Sequence, residues 1–432
     1  MFYPETLEIR PLEKPPEALV RVPGSKSITN RALILAALSE PHQGSELRGG
    51  LQSEDTEIMV AALRDLGFRV QTDWANQVLH VRRGPHANPI PAPAANLFVG
   101  NSGTCMRFLT ALVSLGEGHY RLDGVARMRE RPMADLLAAL QQLGVNARSL
   151  NGDGYPPILV ESNGLSGGRL RIAGAVSSQF LSGLLLAAPL AKGDIDIEVA
   201  GSLVSAPYVE MTLKMMQQFG VRAGADERLR VLHVPRHPCY RSQVYEVEPD
   251  ASSASYFLAA AAIGQGTVRL PRLSRNSLQG DVQFVNLLEE MGCLALPDEN
   301  ALGIVGRPLR GIETDMNALS DTVMTLAAVA CFAEGPTAIR NVAHIRYKET
   351  DRLHALATEL RRVGAEVAEF SDGLRITPRP LHGAEIETYG DHRMAMSLAL
   401  IGLRVPGIVI KNPSCVAKTY PGFWHDLERL RA

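Results

Sequence analysis

One phrase recurs along this chain and limits what it can fold into: an amphipathic helical pattern that stops at a glycine and runs into a β-rich segment. It reads AALRDLGFRV, LLAALQQLGV, LKMMQQFGV, NLLEEMGCLAL and ATELRRVGAEV. The stop glycines, Gly67, Gly144, Gly220, Gly292 and Gly364, are spaced by 77, 76, 72 and 72 residues. Glycine just past a helix is the expected left-handed cap, because it has no Cβ to clash there. Tyr420 to Ala432 reads as a sixth helix of this kind. The period is too long for an ordinary solenoid, so each repeat must hold several elements. A second, more apolar helix precedes each amphipathic one, starting near Ser27, Gly103, Ser178, Ser252, Thr322 and His392. Stretches such as SSQFLSGLLLAAPLA and DASSASYFLAAAAIG are apolar on most faces and belong inside a layered structure. Strand-like runs with hairpin turns, such as SLNGDGYPPILV and EFSDGLRI, lie between. The expected fold is α/β, with six units of two helices and several strands, three units to a domain. Pro235, Pro238 and their polar neighbours make 235–248 a candidate crossover.

The 432 residues are too many for one ordinary core, and 46% of them are apolar. Lys plus Arg number 44 against 46 Asp plus Glu, a balance that argues against a nucleic-acid or membrane-surface binder. The five cysteines lie far apart without CxxC spacing. Neither a disulfide framework nor a zinc ribbon is expected, and a reducing cytoplasm fits. The N-terminus lacks a signal-peptide apolar core, and no apolar run approaches the roughly 20 residues of a membrane helix. PGSKS resembles a phosphate-binding loop, but Ser25 stands where GxxxxGK[ST] needs glycine. His233, His237 and Cys239 are separated by prolines and read as a solvated loop, not a metal site.

The apolar helices open on small polar or charged residues: Ser25-Lys26-Ser27, Asn101-Ser102-Gly103-Thr104, Ser177-Ser178-Gln179, Asp250-Ala251-Ser252-Ser253, Ser320-Asp321-Thr322 and Asp391-His392-Arg393. Any one of these is an ordinary N-cap. Six on repeated units suggest helix starts that converge, where free N–H groups and positive dipole ends attract anions. Lys26, Arg31, Arg107, Arg127, Arg131, Lys348, Arg352, Arg393 and Lys418 lie at or near helix boundaries. Arginine forks suit phosphate and carboxylate, and lysine adds a point charge that can move protons. HIRYKETDR is dense in charge and reads equally well as an exposed capping box.

VPGSKSITNRALILAAL, GNSGTCMR, RMRERPM, VSSQFLSGLLLAAPLA, DASSASYFLAAAAI, YKETDRL, YGDHRMAM and AKTYP resemble, in order and from about residue 20 onward, the 5-enolpyruvylshikimate-3-phosphate synthases of the enolpyruvyl transferase family. The resemblance implies a two-domain inside-out α/β barrel of six βαβαββ-like units. Residues 1–20 would join the C-terminal domain, 21–240 would form the shikimate 3-phosphate side and 241–432 the phosphoenolpyruvate side, with the active site in the cleft between them. It also implies residue roles. Lys26, Ser27, Arg31, Ser177, Ser178, Gln179, Ser205, Tyr208, Asp321, His344 and Lys348 would hold shikimate 3-phosphate. Lys26, Gly103, Thr104, Arg131, Gln179, Glu349, Arg352, His392, Arg393 and Lys418 would hold phosphoenolpyruvate. The sequence departs from the family where His344 replaces an Asn of some members and Phe108 a Pro of many. Phe108, close after Gly103, is expected to disturb the helix start there or merely to fill the core.

The implied reaction transfers the enolpyruvyl group to the 5-hydroxyl of shikimate 3-phosphate. Attack at C2 gives a tetrahedral intermediate, and phosphate then leaves. Asp321 is the candidate base, and Glu349, Lys26 and Lys418 are candidates for the other proton steps. No cofactor or metal is expected. The expected partners are the two substrates and the inhibitor glyphosate, and the expected state is a cytoplasmic monomer. Two rivals are a UDP-N-acetylglucosamine enolpyruvyl transferase and a non-catalytic anion-binding relative. Ala126 stands where the first typically has a reactive cysteine, and joint retention of Asp321 and Glu349 speaks against the second.

Overall fold

In the computed structural model, residues 3–85 and 88–431 are described. They contain twelve α-helices: α1 (Lys26–Ala37), α2 (Glu54–Asp65), α3 (Gly103–Val113), α4 (Ala134–Gln142), α5 (Ser178–Ala187), α6 (Pro207–Gln218), α7 (Ala251–Gly264), α8 (Phe284–Glu290), α9 (Val323–Ala330), α10 (Arg352–Arg362), α11 (His392–Ala399) and α12 (Phe423–Glu428). Odd-numbered helices are the apolar ones. Every residue of α3, α7, α9 and α11 is buried, whereas α2, α4, α6 and α10 bury one face only. The five recurring glycines have φ of 89, 80, 91, 113 and 101° in chain order. Each takes the left-handed conformation that ends the amphipathic helix, which a Cβ would oppose.

The chain divides into two compact units, Gly24–Val247 and Met1–Pro23 with Glu248–Ala432. Each holds three sheets of one design. In one example, Ala94–Phe98 runs through α3 into its parallel neighbour Glu117–Asp123, and α4 leads to the antiparallel hairpin Asn146–Ser149 and Ile158–Asn163. That is a βαβαββ unit. Four other sheets share the order of a parallel pair followed by two antiparallel strands, and the sixth is three-stranded. In the Gly24–Val247 unit α1, α3 and α5 pack on one another, and in the other unit α9 packs on α7 and α11. Each unit thus has helices at its centre and strands outside them.

The seams lie in two places. Glu17–Leu19 pairs parallel with Thr267–Pro271, and Thr6–Ile9 pairs antiparallel with Ile408–Lys411. The N-terminal segment therefore supplies two strands to the second unit. Val244–Glu246 pairs parallel with Ser45–Arg48. It lies with the Gly24–Val247 unit, so the chain changes unit at 23/24 and 247/248, a few residues after the expected 20 and 240. Among the described residues no helix is long and apolar enough to cross a membrane.

Candidate active site

Five of the six apolar helices begin on a side-chain cap. Ser25 accepts from Ile28 N, Ser102 from Cys105 N, Ser177 from Gln179 N, Asp250 from Ser253 N and Asp391 from Arg393 N. The sixth, α9, starts from the 3-10 turn Ser320–Thr322. Each cap satisfies one N–H of its first turn, and at α7 the Gln279 side chain accepts from a second, Ala251 N. The Ser177 hydroxyl, accepting from the backbone, keeps its hydrogen to donate.

In the Gly24–Val247 unit Lys26 opens α1, and its Nζ lies 3.1 Å from Asp55, a buried carboxylate at the start of α2. Arg31, one turn further, is only 2% exposed. It donates to Thr212 Oγ1 (2.8 Å), Ser27 O (3.0 Å), Ser182 Oγ (3.2 Å) and Tyr208 O (3.1 Å). Its guanidinium stands over the rings of Phe108 (5.1 Å) and Tyr208 (5.9 Å). Burial draws its pKa down to about 10, so it stays charged at neutral pH. Four donated bonds leave one of its five N–H groups without a protein acceptor among the described residues, so Arg31 is chiefly the tie between α1 and α6.

Gly103 opens α3 under two guanidiniums. Arg131 donates to Asn101 O (3.0 Å) and Asn101 Oδ1 (3.3 Å), and Arg107 donates to Gly103 O (3.3 Å) and Pro132 O (3.2 Å). A Cβ on Gly103 would overlap the end of Arg131 and come within 2.9 Å of Arg107 NH1. Gln179 Nε2 donates to Thr104 Oγ1 at 3.4 Å, joining the starts of α5 and α3. Ser205, before α6, has φ of +52°, a strained conformation for serine that costs about 1–2 kcal/mol. Phe108 is the sixth residue of α3, fully buried beneath Arg31. It does not act at the helix start; it fills the core and carries the Arg31 cation.

In the other unit Arg352, only 1% exposed, joins three carboxylates. It reaches Asp391 at 2.8 Å, Glu349 at 2.8 Å and Asp321 at 3.2 Å. Arg393 meets Asp321 at 2.9 Å and Lys348 meets it at 3.8 Å. Asp391 both caps α11 and braces Arg352. His392, fully buried, lies 3.6 Å from Asp391, and Lys418 is buried at the end of the 3-10 turn Pro413–Lys418. The dense charge of HIRYKETDR resolves into two functions. Asp351 caps α10 and pairs with Arg346, whereas Glu349 and Arg352 turn inward. His344, in the 3-10 turn Ala343–Tyr347, is held neutral. Burial, reinforced by the neighbouring Lys348 charge, pushes its pKa down to about 3.

Sequence reasoning missed Asp55, Tyr256 and Asp281. Asp55 sits in SEDTE, which reads as a capping box; its pairing with Lys26 is long-range. Tyr256 and Asp281 adjoin the Asp321 cluster, and no local pattern marks them.

The two residue sets define an α/β protein with cations clustered at its helix starts and one carboxylate, Asp321, clamped among three of them. A family profile for EPSP synthase (3-phosphoshikimate 1-carboxyvinyltransferase) matches residues 13–427. The chain is 47% identical to the 3-phosphoshikimate 1-carboxyvinyltransferase of Trichormus variabilis, over 97% of this chain and 98% of that one. It is also 47% identical to the enzyme of that name from Pasteurella multocida, over 96% and 95%. The solved EPSP synthase of Acinetobacter baumannii superposes with a TM-score of 0.80 at 26% identity, over 98% of each chain. The chain therefore belongs to the EPSP synthase family, the enolpyruvyl transferases of the shikimate pathway.

Proposed function

We propose that the residues above carry out transfer of the carboxyvinyl group of phosphoenolpyruvate to the 5-hydroxyl of shikimate 3-phosphate. The observation that carries this is Asp321, a partly exposed carboxylate fixed by Arg352, Arg393 and Lys348. It is oriented by its partners yet open to a ligand. Asp321 takes the hydroxyl proton as the oxygen attacks C2. Glu349, with Lys26 or Lys418, delivers the proton to the methylene carbon and later removes one as phosphate departs. Arg131, Arg352, Arg393 and the N-terminus of α3 at Gly103 and Thr104 suit the carboxylate and phosphate of phosphoenolpyruvate. Ser27, Ser177, Ser178, Gln179, Ser205, Tyr208 and Lys348 suit the phosphate and hydroxyls of the acceptor. Preorganised cations stabilise charge developing in the intermediate.

His344 fits the acceptor subsite in a specific way. Where some members use an uncharged amide, this chain uses an imidazole kept uncharged by burial, so the exchange adds no charge. A cytoplasmic monomer is supported by five cysteines that form no disulfide among the described residues and by substrates that are small soluble anions. Glyphosate, as an anion competing with phosphoenolpyruvate, would occupy the Gly103–Arg131 region. Ala126 begins the turn before Arg131 and offers no nucleophile, which disfavours the nucleotide-sugar reaction. The test is phosphate release. It should need phosphoenolpyruvate and shikimate 3-phosphate together. Release with UDP-N-acetylglucosamine in place of shikimate 3-phosphate, and none with the latter, would refute the reading.

A further inference from the structure

Asp281 is a carboxyl that substrate binding does not use. It lies in the 3-10 turn Gly280–Gln283, is 4% exposed and packs against α7. Ser252 Oγ on α7 donates to its Oδ2. Tyr256 is one turn further along the same face of α7, and its hydroxyl accepts from Arg393, whose other arm grips Asp321 at 2.9 Å. Asp281 and Asp321 thus flank one corner of the cluster. The charged groups facing Asp281 are Asp250 from α7, Asp321 from the turn Ser320–Thr322 and Arg393 from α11.

We propose that Asp281 is a positioning residue whose negative charge, held by Ser252 beside Asp321, offsets the pull of Arg352, Arg393 and Lys348 and keeps Asp321 basic enough to take the acceptor's proton. This rests on the reading of Asp321 as the base. Three cations within 4 Å stabilise a carboxylate so well that it holds a proton poorly. A second carboxylate acts the other way. Burial, with repulsion from Asp321 next, holds Asp281 above the usual carboxylate range. That repulsion is mutual, so the charge on Asp281 raises the proton affinity of Asp321 in return. The Ser252 hydroxyl favours the charged form of Asp281. In the reaction one proton passes from the hydroxyl oxygen to Asp321 as the C–O bond forms, and Asp281 receives none.

The experiment uses the full chain labelled with ¹³C at aspartate carboxyls. The Asp321 signal is identified by its loss in D321N, and titrations are compared for wild type, D281N and S252A. In D281N the Asp321 titration should move down by about one pH unit, the effect of removing one nearby like charge. S252A, which disfavours the charge on Asp281 but keeps the carboxyl, should move it the same way by less. In steady-state assays kcat should fall about tenfold in D281N, within the range that proton transfer contributes, with the KM values changed less than about threefold. Unmoved Asp321 titration in folded D281N and S252A would overturn the inference, even with lost activity, because a purely structural role leaves titration untouched. A folded D321N with near-normal kcat would instead overturn the reading of Asp321 as base, while the titration comparison still measures the coupling.

Discussion

Replacing Arg352 with methionine removes the cation common to Asp321, Glu349 and Asp391 while keeping much of its apolar bulk. Glu349 and Asp391 are buried, so they would face each other with one compensating charge fewer. Breaking a buried ion pair by deleting one partner costs about 3–5 kcal/mol, because an uncompensated charge stays in a poorly solvated place. With a urea m-value of about 2 kcal/mol/M, that lowers the midpoint by roughly 1.5–2.5 M. Two units can unfold separately, so the probe must report on one. The chain has two tryptophans; Trp424 lies buried in α12, in the Arg352 unit, and Trp74 lies in the other. In a Trp74→Phe background, fluorescence follows Trp424 alone. The loss should shrink at pH 5, where the orphaned carboxylates relieve repulsion by taking up protons. A midpoint shift below about 0.5 M at pH 7, or an equal shift at both pH values, would show that Arg352 is not the keystone of the cluster.

Four shorter expectations accompany it. Asp321→Ala should keep its circular dichroism and lose about 10²–10⁴ in kcat; near-normal turnover would move the base elsewhere. His344 binds its proton at about pH 3 in the folded chain, against a reference value of 6.5. Stability is therefore complete above pH 6.5 and falls as pH drops from there towards 3, because only the unfolded state takes the proton. At pH 5 the loss is about 2 kcal/mol, from 1.36 kcal/mol for each of roughly 1.5 pH units. Thermal melts of wild type should thus drop more steeply than those of His344→Asn between pH 7 and 5, and parallel curves would refute the assignment. Gly103→Ala should displace Arg131, raise the KM for phosphoenolpyruvate and weaken glyphosate more strongly, since overpacking of this kind costs about 1–3 kcal/mol; inhibition constants unchanged in the variant would place the inhibitor elsewhere. Phe108→Pro should lower stability, not merely retune glyphosate, because it removes both an α3 hydrogen bond and the ring beneath Arg31.

The repeat was legible because its signals are local. A glycine needed at positive φ, an apolar helix and a capping residue each show within a few positions, and five glycines kept their spacing. The seams were less so. Val244–Glu246 and Glu17–Leu19 are three-residue strands, too short for alternation to register, and their partners lie about 200 residues or more away in sequence. The site divides along the same line. Helix starts and their caps could be read directly. Which charged side chain turns inward could not be read from local pattern, only from the family resemblance; neighbouring Asp351 and Arg352 part company because one caps its helix while the other faces α11.

That contrast also shows how one repeated scaffold carries two unlike patterns of charge. Every unit offers a helix start with spare N–H groups, a generic welcome for anions. In the Gly24–Val247 unit the added charge at these starts is mostly cationic: Lys26, Arg31, Arg107 and Arg131, with the Asp55 carboxylate beside Lys26. In the other unit the cations arrive with carboxylates, Asp321, Glu349, Asp391 and Asp281, interleaved between them. A cationic surface binds phosphorylated ligands but has no strong base. A mixed cluster can bind an anion and also move a proton, since its carboxylates differ in how many cations each one touches. Arg352 touches three of them, Arg393 and Lys348 pair with Asp321, and Asp281 takes a hydrogen bond from a serine hydroxyl. A carboxylate with fewer cationic partners takes up a proton more readily, and addition followed by elimination asks for one group that accepts a proton and another that gives one.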